Sequence, residues 1–148
     1  EEVSPTDGKT YPTQYFERAR FEHHLEFQGT PYEVELGLLG RYVTRNRTFQ
    51  TFGPPAQPTG PNRVYFPQTQ EYLAYGFLTY WQQHGGLAMF GYPISPEIQE
   101  VNPADGQTYT VQYFERARFE YHPNNPPAYQ VELGLLGNQV LSAPGWYR

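Results

Sequence analysis

The side chains best suited to chemistry in this 148-residue chain fall into a few groups. Glu17, Arg18, Arg20 and Glu22 recur as Glu115, Arg116, Arg118 and Glu120, because QYFERARFE stands at Gln14–Glu22 and again at Gln112–Glu120. Two carboxylates flanking one bond would be glycoside-hydrolase chemistry. The alternative is cross-strand ion pairing around a hairpin tip, and so literal a duplication favours it. His23 and His24, with Glu22 and Glu26, have the ligand types of a metal centre. Yet Tyr121 stands at the position of His23 in the second copy, so the pair is not part of the repeated design. His84 sits where a helix is predicted to end and reads as a helix-end partner rather than a base. Asp7 and Asp105, the only aspartates, both precede Gly in equivalent turns, where the carboxylate caps backbone. No Ser-His-Asp order, phosphate loop or nucleotide fingerprint is present. The expectation is no catalytic residue, no metal ligand and no cofactor.

The duplication is wider than the nonapeptide. Glu1–His24 lies on Gln99–His122 at a constant shift of 98, and Pro31–Gly40 lies on Ala128–Gly137 after a one-residue deletion. Arg63–Ile98 has no counterpart ahead of the first copy. An internal repeat marks one packing unit used more than once. The predicted organisation is a half module over 1–43, a linker over 44–62, a complete module over 63–141 and a tail over 142–148. Gly-Pro-Pro and Pro-Thr-Gly-Pro make the linker extended and stiff.

Three kinds of element must position these residues. Leu73, Phe77, Tyr80, Trp81 and His84 form a helical stripe, with Thr69 as its N-cap, Gly85-Gly86 as its stop and Gly76 as a weak point. Phe90–Ser95 reads as a turn or short extended piece. The nonapeptide reads as a β-hairpin entered from the Asp-Gly turns, with Phe16 opposite Phe21 and a four-residue loop of Glu17–Arg20. Alternation places Gln14, Phe16 and Phe21 on one face, and Tyr15 and Glu22 on the other. Tyr32, Val34 and Leu36 alternate as a third short strand that breaks at Gly37, with a short helix as its rival. The fold class is α+β: small repeat modules, each a helix, a hairpin and a short strand.

Composition narrows the partners. With 14 Tyr, 10 Phe and 2 Trp, a hydrophobic share of only 38% can still build a core from a few large rings. The net charge is −5 and the ten Lys and Arg are scattered, which argues against nucleic acid. No window is long and apolar enough for a membrane span, and no Cys is present for a disulfide or thiolate site. The start at Glu1, without Met, reads as a processed protein or part of a longer one. Asn46-Arg47-Thr48 fits a glycosylation sequon. Surplus Tyr and Trp offer contact faces for sugars or protein. Phe16, Phe21, Tyr32, Trp146 and Tyr147 are the candidate interface residues, with Trp146 and Tyr147 expected to be exposed.

WQQHGGLAMFGYPIS (Trp81–Ser95), followed by DGQTYTVQYFERARFEYHP (Asp105–Pro123), resembles the LGFP-type repeats of secreted bacterial proteins. Phe90-Gly91-Tyr92-Pro93 stands where those repeats have Leu-Gly-Phe-Pro, and the first copy lacks that element. The resemblance implies an extracellular, non-catalytic module of the cell envelope. Its partners would be cell-wall glycan or a surface polymer, or else copies of itself in a filament completed by neighbouring chains. A carbohydrate-active enzyme fragment is the third reading. Because the half module has no helix to cover its rings, Phe16 and Phe21 are expected to contact another chain or to stand exposed.

Overall fold

The computed structural model describes residues 1–146, and the fold is α+β. The first unit comprises β1 (Glu2–Val3), β2 (Thr10–Tyr11), β3 (Thr13–Tyr15), β4 (Arg20–His23), β5 (Val34–Leu36) and α1 (Leu39–Val43). The second comprises β6 (Arg63–Phe66), β7 (Glu71–Ala74), α2 (Tyr75–Gln83), α3 (Gly86–Phe90), β8 (Ile98–Val101), β9 (Thr108–Tyr113), β10 (Arg118–Tyr121), β11 (Val131–Leu133) and α4 (Leu136–Ser142). Strands β8 to β11 form one antiparallel meander. Its counterpart is divided into a β1–β2 hairpin and a β3–β4–β5 sheet. Pro12 explains the division: it occupies the position of Thr110, inside β9, and has no N–H for the ladder. No helix among the described residues is long and apolar enough to cross a membrane.

The Asp-Gly turns form as the sequence predicts. Gly8 and Gly106 adopt φ of 75° and 72°, which an L side chain resists. The Asp7 carboxylate accepts the Lys9 N–H at 3.0 Å, and Asp105 accepts that of Gln107 at 2.9 Å.

Both nonapeptides fold as the same antiparallel hairpin, but the register differs from expectation. Phe21 pairs with Gln14 and Phe119 with Gln112. The Phe16 N–H donates to the Ala19 carbonyl at 2.8 Å, so Glu17 and Arg18 alone make the turn. Phe16 therefore meets Phe21 diagonally, with ring centroids 4.5 Å apart, and the predicted face is retained.

Three further corrections concern the elements around the hairpin. Leu73 belongs to β7, paired with Val64 in β6, and α2 starts only at Tyr75 behind Ala74; Thr69 lies in the β6–β7 turn and does not cap the helix. Strand pairing has captured the first residue of the helical stripe. In the repeated VELGLLG, strand and helix both occur in succession: β5 leads into α1, and β11 into α4. The half module thus owns a helix, though not one that covers its own rings. The linker has no helix or strand and lies along the second unit, where Phe49 stacks on Tyr113 at 5.8 Å and the Phe52 N–H reaches the Gln70 carbonyl at 2.9 Å.

The two units exchange contacts reciprocally, as subunits do across a two-fold axis. The Arg41 N–H at α1 donates to the Glu115 carbonyl at 3.0 Å, and the Asn138 N–H at α4 donates to the Glu17 carbonyl at 3.0 Å. The Arg116 guanidinium binds the Leu36 carbonyl, and the Arg18 guanidinium binds that of Leu133. Helices α1 and α4 meet in the middle, where Leu39, Leu136, Val140 and Trp146 form a buried cluster. A larger cluster joins Leu73, Phe77, Leu78, Phe90, Phe114 and Phe119 with Ala19 and Leu36 of the first unit.

One buried group carries a cost. Glu71 is fully buried, and neither carboxylate oxygen has a hydrogen-bond partner among the described residues. Desolvation raises its pKa from 4.5 to about 7. Between those values the unfolded chain ionises while the folded one stays protonated. The contribution of Glu71 is therefore most favourable below about pH 4.5 and is lost as pH rises towards 7, by about 3 kcal/mol. Glu71→Gln is expected to flatten that part of the pH profile and raise the urea midpoint at pH 8. An unchanged profile would place the Glu71 carboxylate in contact with water.

Candidate functional site

The repeated charges are consumed by the structure. Arg20 is 1% exposed and pairs with Glu22 on the same strand, while His24 Nε2 lies 3.1 Å from the other Glu22 oxygen. In the second unit Arg118 holds Glu120 at 2.6 Å, and His122 lies 3.0 Å from it. These are pairs two residues apart along one strand, buried beneath the sheet. They are not cross-strand pairs at the hairpin tip, as the sequence suggested. Alternation puts Arg and Glu on the face opposite Phe21, where Arg20 also meets Glu2 at 3.4 Å and Arg118 the Tyr113 hydroxyl at 3.5 Å. At the tip, Arg18 and Arg116 instead reach across to the other unit. Glu115 accepts the Tyr92 N–H at 2.9 Å and the Arg41 guanidinium at 2.6 Å.

The histidines are distributed as follows. His23 Nε2 lies 3.2 Å from Glu33, on the face opposite His24, so the adjacent pair does not converge. The His24 ring packs at a tilt against Tyr11, with centroids 3.9 Å apart, and His122 does the same against Tyr109 at 4.1 Å. Hydrogen bonding to Asp105 raises the Tyr109 phenol to about 12. His84 caps the end of α2, with Nδ1 2.9 Å from the Tyr80 carbonyl. Among the described residues no group of three or more His, Asp or Glu is placed to hold a metal ion.

The candidate interface residues separate. Phe16, Phe21 and Tyr32 are 44%, 36% and 45% exposed. Trp146, expected in solvent, is buried: its indole N–H donates to the Tyr15 hydroxyl at 2.6 Å and its ring packs edge-on against Tyr42 at 4.5 Å. Trp146 packs onto the first unit much as Phe49 packs onto the second. Tyr147 lies outside the described residues.

A concave site that sequence reasoning missed lies between α2 and the second sheet. It is a groove of about 650 Å³ whose walls include Tyr75, Tyr80, Gln83, Glu97, Tyr121 and Gln130. Tyr75 is 69% exposed and holds φ at 49°, a left-handed conformation unusual for an aromatic residue. Its N–H is fixed by the Asn62 carbonyl at 2.8 Å, where the linker ends. Burial raises the Tyr80 phenol and, although its side chain reaches solvent, the Glu97 carboxyl. No spacing in the sequence marks these residues, because the strand-to-helix junction at Ala74–Tyr75 brings them together.

Compared with known proteins, the chain matches no family model, no curated protein and no solved structure at a significant level. The groove and the exposed ring face are therefore read from their own chemistry.

Proposed function

We propose that this chain is a non-catalytic, extracellular repeat protein of the bacterial cell envelope, acting as a structural or attachment module. The groove beside α2 carries the reading. Exposed Tyr75 and Tyr121 offer flat rings to the apolar faces of sugars, and Gln83, Gln130 and Glu97 stand nearby to meet hydroxyl groups. Backbone strain at Tyr75 supports a functional role, since a ring held in a costly conformation persists where its position matters. A non-catalytic role is supported by the engagement of Glu22 and Glu120 with Arg and His, which leaves neither facing a cleft. The resemblance to LGFP-type repeats points the same way. Self-assembly into a surface polymer is the second reading, favoured by the exposed Phe16–Phe21 pair.

Co-sedimentation with purified cell-wall glycan tests the first reading. The chain is expected to pellet with the glycan, and Tyr75→Ala combined with Tyr121→Ala to weaken binding at least tenfold without unfolding it. Failure of the unsubstituted chain to bind, or equal binding by the double variant, would discard the groove as a glycan site.

A further inference from the structure

The same nonapeptide has two environments in this molecule. Phe114 and Phe119 are 0% exposed, whereas Phe16 and Phe21 are 44% and 36% exposed. Gln112 is buried and Gln14 is exposed. We propose that the face presented by Gln14, Phe16, Phe21 and Val34 docks a separate polypeptide segment of the Arg63–Ile98 kind: a β-hairpin, an aromatic helix and a short extended stretch.

The second unit shows what this face receives. Phe77, Tyr80 and Phe90 set their rings 5.8, 5.0 and 4.9 Å from Phe119. The Gln112 amide donates to the carbonyls of Tyr72 at 2.8 Å and Ser95 at 2.9 Å. Pro93 forms a β-bridge with Phe114. The Glu115 and Arg116 N–H groups donate to the Tyr92 and Phe90 carbonyls at 3.0 and 3.1 Å. Gln14, Phe16, Glu17, Arg18 and Phe21 repeat that receiving half residue for residue.

The incoming segment in the second unit cannot serve both faces. Its rings are already spent on Phe114 and Phe119, while α3 leans across to β5, and Leu36 and Ala19 share the same buried cluster. Gln14 and the turn amides favour a polypeptide occupant over a sugar, because they are spaced to meet successive backbone carbonyls in the manner of strand addition. A ring face of this kind, left in water, marks an interface. The proposal stands apart from the groove: a chain that binds no glycan has the same ring face.

The probe is a synthetic peptide with the sequence of residues 63–98, added to the full chain. Saturable binding is expected, weakened at least tenfold by Phe16→Ser with Phe21→Ser. Binding indifferent to that change would mean exchange into the second unit, and would overturn the proposal. So would a dimer in sedimentation that the same change dissolves, which would make the face a contact between copies. A covalent form guards against a peptide that stays unfolded. When this segment is fused ahead of Glu1, Phe16→Ala should lower the Tm as far as Phe114→Ala does. If Phe16→Ala remains mild in the fused chain, the face does not receive such a segment.

Discussion

Phe114→Ala is expected to destabilise the protein by about 3–5 kcal/mol, and Phe16→Ala by only about 1–2 kcal/mol, although both occupy the same place in QYFERARFE. Phe114 is fully buried, 4.1 Å from Phe119 by ring centroids, beneath the segment that bridges through Pro93. Truncation there leaves a cavity that a well-packed core fills only partly. Phe16 loses its contact with Phe21 and some half of its burial, but solvent fills the space. For a domain of ordinary stability the first loss is a large share of the total. Urea unfolding of the two variants side by side measures the difference. Equal losses would mean that Phe16 is covered in solution, and oligomeric state under the same conditions would show by what.

The second large effect inverts a general rule. Gly→Ala inside a helix ordinarily stabilises by about 0.5–1 kcal/mol. Gly76, at the start of α2 with open space around it, should follow that rule. Gly40 in α1 and Gly137 in α4 should not. A Cβ on Gly40 would overlap the Phe114 carbonyl oxygen, and one on Gly137 would overlap that of Phe16. Both obstacles are backbone, so no rotamer change relieves them. The helix must lift from the hairpin, stretching the bonds from Arg41 to Glu115 or from Asn138 to Glu17. Either substitution is expected to cost about 3 kcal/mol, at the upper end for overpacking. Thermal unfolding of the three single variants should show Gly76→Ala stabilised and the other two strongly destabilised. Neutral behaviour at Gly40 and Gly137 would mean that the units do not pack through these helices.

What the sequence could determine was local. The duplication is visible by inspection, and with it the fact that two equal hairpins exist. Asp7-Gly8 and Asp105-Gly106 announce their turns, because a carboxylate two residues before an amide and a glycine at positive φ need only near neighbours. Alternation placed Gln14, Phe16 and Phe21 on one face without reference to anything distant. The same local logic failed by two residues in the hairpin register, where Glu17-Arg18 turns more tightly than its residue types suggest. It failed again at Leu73, because pairing with Val64 outweighed the helical stripe.

Tertiary structure decided the rest, and the residues involved explain why. Arg41 meets Glu115 and Arg18 meets the Leu133 carbonyl, contacts 74 and 115 positions apart that no periodicity encodes. Those reciprocal contacts turned the repeated arginines at the hairpin tips into fasteners between units, gave the last glycine of each ELGLLG its steric role, and drew Trp146 out of solvent. They also fixed which ring pair is covered. Identical side chains at Phe16 and Phe114 differ only in what lies above them, and the strand, helix and bridge that bury Phe114 come before it in the chain as residues 63–98. Burial belongs to the neighbourhood a fold assembles around a residue, so two copies of one sequence became a core in one unit and an open face in the other.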